Sequence, residues 1–141
     1  QGRAGSWDVL ALEVRYRMPK GQLAPAQYAV TAMAVPLPLP LLRIAPRRFL
    51  SHGTAGLLLL PTDDEVFESR WRVLASADAP ELRGISGVRL RAALVAGPDL
   101  DELWTAAGYL AVSRAGPHHG TVLSEHIGLL GEAMAGLQTA L

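Results

Sequence analysis

The sequence contains no cysteine, which excludes a disulfide framework and any zinc site built on thiolates but does not assign a compartment. Long apolar runs are missing too. AVTAMAV and LLLLP fall far short of the ~20 residues that cross a bilayer, and Pro36, Pro38 and Pro40 cut off the first. Net charge of either sign is absent, with 13 basic and 13 acidic residues, which argues against a nucleic-acid partner. No segment fits G-x-x-x-x-G-K-[ST] or G-x-G-x-x-G, so there is no glycine-rich phosphate cradle. RGISGV carries Gly84, Ser86 and Gly87 but misses the G-x-S-x-G spacing of a nucleophile elbow. The chain opens on Gln1 with neither an initiator Met nor a signal-peptide pattern, and reads as a fragment lacking an upstream segment.

What is present is 141 residues, half of them apolar, enough for one domain, residues 1–141, with a sizeable core. Charge is unevenly distributed. Arg3 to Arg48 holds seven cations against Asp8 and Glu13, while residues 51–141 hold six cations against eleven acids. The simplest reading is two halves that fold against and neutralise each other; steering of a partner or a membrane surface is the sharper one.

Periodicity supplies the elements. In WDVLALEVRYRM, Leu10, Leu12, Val14, Tyr16 and Met18 alternate with Ala11, Glu13, Arg15 and Arg17, which predicts a half-buried strand. PKGQLAP supplies a turn, and QYAVTAMAV reads as the returning strand of a hairpin. In PLPLPLL the prolines delete amide donors from one edge, so the segment is a sheet margin or a polyproline-like strap. RIAPRRFLSHG reads as a loop, and TAGLLLLPT as a short strand covered on both sides. In EVFESRWRVLAS, Phe67, Ser69, Trp71, Val73 and Ala75 point one way and Glu68, Arg70 and Arg72 the other, one strand with a dry and a wet face.

Asp78 is placed to cap a short helix, ELRGIS, and Ser86 to cap a second, GVRLRAALVA, which Gly97 and Pro98 end. ELWTAAGYLAVSRAG gives two extended pieces about Gly108. Finally Leu123, Ile127, Leu130, Met134, Leu137 and Leu141 recur at steps of three and four, the seam of an amphipathic helix that lies on the sheet. A coiled-coil seam is the alternative reading of the same repeat.

Candidate chemistry is sparse. His118 and His119 are adjacent, a spacing that sends their rings apart; with Glu125 and His126 they make a poor Zn or Ni set. His52 beside Ser51 lacks a visible orienting carboxylate. Asp99, Asp101 and Glu102 miss the EF-hand spacing, and Asp63, Asp64 and Glu65 read, like them, as a polar turn capping the next element. No catalytic, cofactor-binding or metal-ligating residue is assigned, and no cofactor is expected.

The order YAVTAMAVPLPLPLLRIAPRRF, then DDEVFESRWRVLASADAPELRGISGVRLRAAL, then ELWTAAGYLAVSRAGP and a closing amphipathic helix resembles a family of uncharacterised actinobacterial membrane-anchored proteins. The matches, such as Phe67, Trp71, Val73, Leu94, Trp104 and Leu110, are core positions. The resemblance therefore implies a fold and no reaction. It also implies an anchor upstream of Gln1, with the domain membrane-associated through that missing segment and otherwise cytoplasmic. In that setting Arg15, Arg17, Arg43, Arg47 and Arg48 would face an anionic leaflet or a partner.

The expected architecture is α+β: an antiparallel sheet of five or six strands with two or three helices packed on one face. The expected function is a non-catalytic binding or protein-interaction domain. An enzyme with an unrecognised pocket, or a self-associating module in a homo-oligomer, are the alternatives.

Overall fold

The computed structural model describes residues 2–4, 7–16, 26–47, 56–97, 100 and 102–140, with the backbone alone for Arg3, Ala4, Arg15, Tyr16 and Ala26. The PKGQLAP turn, Arg17, Arg48, Ser51, His52, Asp99, Asp101 and Leu141 lie outside the described residues.

Eight described strands form one antiparallel sheet: β1 (Gly2–Ala4), β2 (Trp7–Tyr16), β3 (Ala26–Ala34), β4 (Leu42–Pro46), β5 (Leu58–Leu59), β6 (Trp71–Ala75), β7 (Glu102–Ala106) and β8 (Tyr109–Ala115). Their spatial order is β1-β2-β3-β8-β7-β4-β6-β5. Four helices join them: α1 (Glu65–Glu68), α2 (Pro80–Ile85), α3 (Val88–Ala96) and α4 (Gly120–Ala140). The α+β class is the expected one, and each count exceeds its expectation for an identifiable reason.

The hairpin predicted for residues 7–34 forms, with Val9 opposite Met33 and Val14 opposite Tyr28. The pieces around Gly108 form a second hairpin, β7–β8. Its two-residue turn places Ala107 at φ 49° and Gly108 at φ 84°, the twist that matches two right-handed strands. From β3 the chain must pass β8 and β7 to reach β4, and the proline strap makes this crossing. Val35 N–H donates to Gly108 O at 2.8 Å, so the strap runs over the hairpin turn. Thr105 then secures its far end: its hydroxyl accepts from Leu42 N–H at 2.9 Å and donates to Pro40 O at 3.1 Å.

Residues 43–46, read from sequence as loop, instead join Leu42 of the strap in strand β4 inside the sheet, with Ile44 and Ala45 fully buried between β6 and β7. The segment is short and carries Arg43 and Pro46; only pairing on both sides makes it a strand. The covered strand expected at LLLL is corrected in the other direction. Only Leu58–Leu59 pair, at the sheet edge, with both side chains more than half exposed. Phe67 is buried but sits on α1, a single turn capped by the Asp64 side chain accepting from Phe67 N–H at 3.1 Å. That bond, with Arg91 beside it, holds the Asp64 carboxyl below its ordinary range. Past that turn Trp71, Val73 and Ala75 are buried as expected, but Leu74 on the opposite side is buried as well, so the second face is not simply wet.

Two expected caps are replaced. Asp78 does not cap α2, whose N-cap is Ala79; its carboxylate is taken by Arg83 at 2.6 and 2.8 Å. Ser86 does not cap α3, whose N-cap is Gly87; it is buried and its hydroxyl donates back to Leu82 O at 3.0 Å.

All helices share one core with one sheet face, where Val9, Met33, Ile44, Val73 and Val112 meet Leu82, Leu90, Leu94, Leu130 and Met134. The amphipathic seam of α4 is rotated from expectation. Leu130, Met134 and Leu137 are buried, but Val122, His126 and Leu129 complete the stripe while Leu123 and Ile127 are half-exposed. Near its end α4 crosses α2 at glycine: a Cβ on Gly84 would lie 2.6 Å from Gly136 O, and one on Gly136 would overlap Gly84 O. Backbone therefore meets backbone at this crossing.

Candidate functional site

Helices on one face leave the other face of an antiparallel sheet to water, and that face is usually polar. Here it is not. Strand register places Leu10, Leu12 and Val14 of β2, Tyr28, Val30 and Ala32 of β3, Ala111 of β8 and Trp104 of β7 on the face away from the helices. The apolar cluster they build contains strand residues alone. Val30, Ala32 and Ala111 are at most 9% exposed although, among the described residues, no helix residue joins the cluster; Leu10, Val14, Tyr28 and Trp104 pack against them. Leu12 stays 37% exposed.

Within this face lies a hollow of about 360 Å³ lined by Val14, Tyr28, Val30, Glu102, Trp104 and Ser113. Such a volume falls at the lower end of ligand-sized sites. Its polar end is an ion pair between Arg43 and Glu102, each side chain about a quarter exposed. The hollow thus joins an apolar floor to one neutralised charge pair. A half-buried apolar hollow with a few polar groups at one end is the common form of a binding site.

Arg43 sits beside the hollow in contact with Glu102, Arg47 is exposed past the end of β4, and Arg15 lies in β2 opposite Gln27. Arg70 and Arg72 likewise serve local roles, donating to Val95 O and to Glu68.

The histidines carry the second notable arrangement, one that residue spacing did not reveal. Thr31 of β3 is fully buried and faces α4. Its Oγ1 lies 2.8 Å from Nδ1 of His126 and 2.9 Å from Nε2 of His118. The two rings meet edge to face with centroids 5.9 Å apart. His126 is 1% exposed, and its Nε2 is buried without a partner among the described residues. Burial pushes the His126 pKa down to about 4, with the charges of His118 and Arg114 adding to the effect. Glu13 of β2 reaches the same spot, accepting from His118 N–H at 2.9 Å and from Gln27 Nε2 at 2.9 Å. Arg114 of β8 pairs with Glu125 of α4 at 3.6 Å. A long-range polar cluster thus pins the start of α4 to the sheet; among the described residues no group of three His, Asp or Glu is arranged to hold a metal ion.

No helix among the described residues is long and apolar enough to cross a membrane. Comparison with protein-family models and with curated proteins finds no match. Among solved structures, the crystal structure of the mycobacterial trehalose monomycolate transport factor A, TtfA, matches with a TM-score of 0.61 over 95% of this chain and 75% of that one, at 13% sequence identity. The two share a fold.

Proposed function

We propose that this chain is a non-catalytic protein-interaction domain of a membrane-anchored protein, and that the uncovered sheet face is the surface its partner buries. The observation that carries this reading is the apolar character of a face that bears no helix among the described residues: Tyr28 and Trp104 beside Val14 and Val30, in a hollow of about 360 Å³. Aromatic and aliphatic anchors in a concave patch are the usual centre of a protein interface. The fold it shares with a protein described as a transport factor supports an accessory role beside a transport apparatus. In this setting Arg15, Arg17, Arg43, Arg47 and Arg48 orient the domain against an anionic leaflet or the partner's rim.

A photo-crosslinking amino acid at Tyr28 or Leu12, with Gln138 on the exposed side of α4 as control, tests the surface in cells of origin. One discrete protein adduct from positions 28 and 12, and none from 138, is the expected result. Equal adducts from all three positions, or none, sink the assignment. An adduct to a second copy, with a mass that rises with concentration in sedimentation, replaces it with self-association. Pelleting with anionic and neutral vesicles tests the arginines separately: equal binding to both removes the leaflet.

A further inference from the structure

We propose that Thr31 acts as a one-proton coupler: protonation of the outer ring, His118, sets the tautomer of the buried ring, His126, and thereby makes the seating of α4 on the sheet respond to acid. A threonine hydroxyl carries a single hydrogen and two acceptor lone pairs. Thr31 Oγ1 has a ring nitrogen on either side, at 2.8 and 2.9 Å, and can donate to only one of them.

While both rings are neutral, Thr31 donates to His118 Nε2 and accepts from His126 Nδ1–H. The buried His126 Nε2 is then a bare lone pair in apolar surroundings. The opposite arrangement makes that atom an N–H with nothing to receive it, and orphaned buried donors are the rarer and costlier defect. Once His118 is an imidazolium, both its nitrogens are donors, and the first arrangement is closed. Thr31 must now accept from His118 and donate to His126 Nδ1, which puts the remaining ring hydrogen on the orphaned Nε2; a hydroxyl that accepted from both rings would leave its own hydrogen unpaired instead, the outcome in which the tautomer does not follow His118. Either way the sealed cluster gains one unpaired donor.

Solvent reaches the outer ring and not the inner one. His118 is half-exposed while His126 is buried, and the depressed His126 pKa keeps that ring neutral down to about 4. From β2, the Glu13 carboxylate stands against the His118 backbone. From β8, Arg114 brings a positive charge toward His126, paired with Glu125 of α4. His119 adjoins in the loop, and its carbonyl accepts the Leu123 N–H at 2.9 Å to start the helix. The element affected is the first half of α4; its far half is held separately by the Gly84–Gly136 crossing.

Long-range proton–nitrogen correlation spectra of 15N-labelled protein, recorded from pH 8 to pH 5, read the tautomers directly. The expected result is His126 changing from Nδ1–H to Nε2–H, or losing a single tautomer, with the same midpoint as the His118 titration. His126 holding one tautomer throughout that titration overturns the proposal. His118→Gln, which leaves Thr31 and His126 in place, is the second arm, read by amide exchange across residues 123–129 after correction for intrinsic rates. Between pH 8 and pH 5 wild-type protection should drop about tenfold further than that of His118→Gln, the size of one unpaired buried donor, on top of the loss that the buried His126 causes in both proteins. An equal drop in both proteins assigns the acid response elsewhere.

Discussion

Gly136→Ala places a methyl group where α4 crosses α2. In an ordinary exposed helix position the exchange of glycine for alanine stabilises by roughly 0.5–1 kcal/mol, because alanine loses less backbone freedom on folding. Gly128 and Gly131 on the same helix are such positions, since a Cβ there meets nothing within 4 Å. At Gly136 the new Cβ would instead overlap Gly84 O and lie 3.0 Å from the Gly84 carbonyl carbon. That obstacle is backbone and cannot rotate aside, so α2 and α4 must part. Parting them loosens Leu82, Ile85, Met134 and Leu137, all fully buried at this contact's edge. Overpacking of a tight contact costs about 1–3 kcal/mol, which outweighs the propensity gain. Gly128→Ala should therefore be more stable than the parent and Gly136→Ala less, with about 2–3 kcal/mol between them. At a slope of about 1–3 kcal/mol per molar in urea, the two denaturation midpoints separate by roughly 1 M or more. Gly136→Ala unfolding at or above the midpoint of Gly128→Ala would refute the reasoning, because it would mean that the crossing has room that the backbone geometry denies.

The buried His126 predicts a pH-dependent stability whose sign follows from its pKa. The folded value of about 4 lies below the ordinary 6.5, so the unfolded chain binds the extra proton as pH falls from 6.5 to 4. Stability present above pH 6.5 is thus lost across that window, by about 3 kcal/mol in all, and no further below it. The depressed carboxyls of Asp64 and Asp78 act only below their own ordinary value of 3.8, outside the window. Denaturant midpoints of the parent and His126→Gln at pH 7, 5.5 and 4.5 check this, and parallel declines would reject it. Thr105→Val leaves Leu42 N–H and Pro40 O without the hydroxyl that serves both; in a residue only 8% exposed this should cost about 1–3 kcal/mol, and an unchanged denaturation midpoint would show that water replaces it.

Strands β2, β3, β6, β7 and β8 and helices α2, α3 and α4 were legible because each carries its own periodic signal within one short window. Elements whose state depends on neighbours were not. Residues 42–46 become a strand only because β6 and β7 supply partners for their amides, and α1 is too short for any period to register. Asp78 and Ser86 have the composition of caps, but Arg83 and the Leu82 carbonyl compete for them in space. The uncovered face was hidden for a related reason: alternation in β2 set Leu10, Leu12 and Val14 apart from Ala11, Glu13 and Arg15, but it cannot say which face the helices cover, and register turns those three away from them.

The amino-acid order by itself determined that residues 7–34 pair as a hairpin, that two extended pieces flank Gly108, and that a final long helix has one oily stripe. Only the tertiary structure decided which way that stripe turns and what meets it. A lone threonine at position 31 carries no signal along the chain; it acquires one when folding brings His118 and His126, 87 and 95 residues away, to the same hydroxyl. Local conformational preference acts over a few residues, whereas the sharing of one hydrogen depends on distances set by the whole packed molecule.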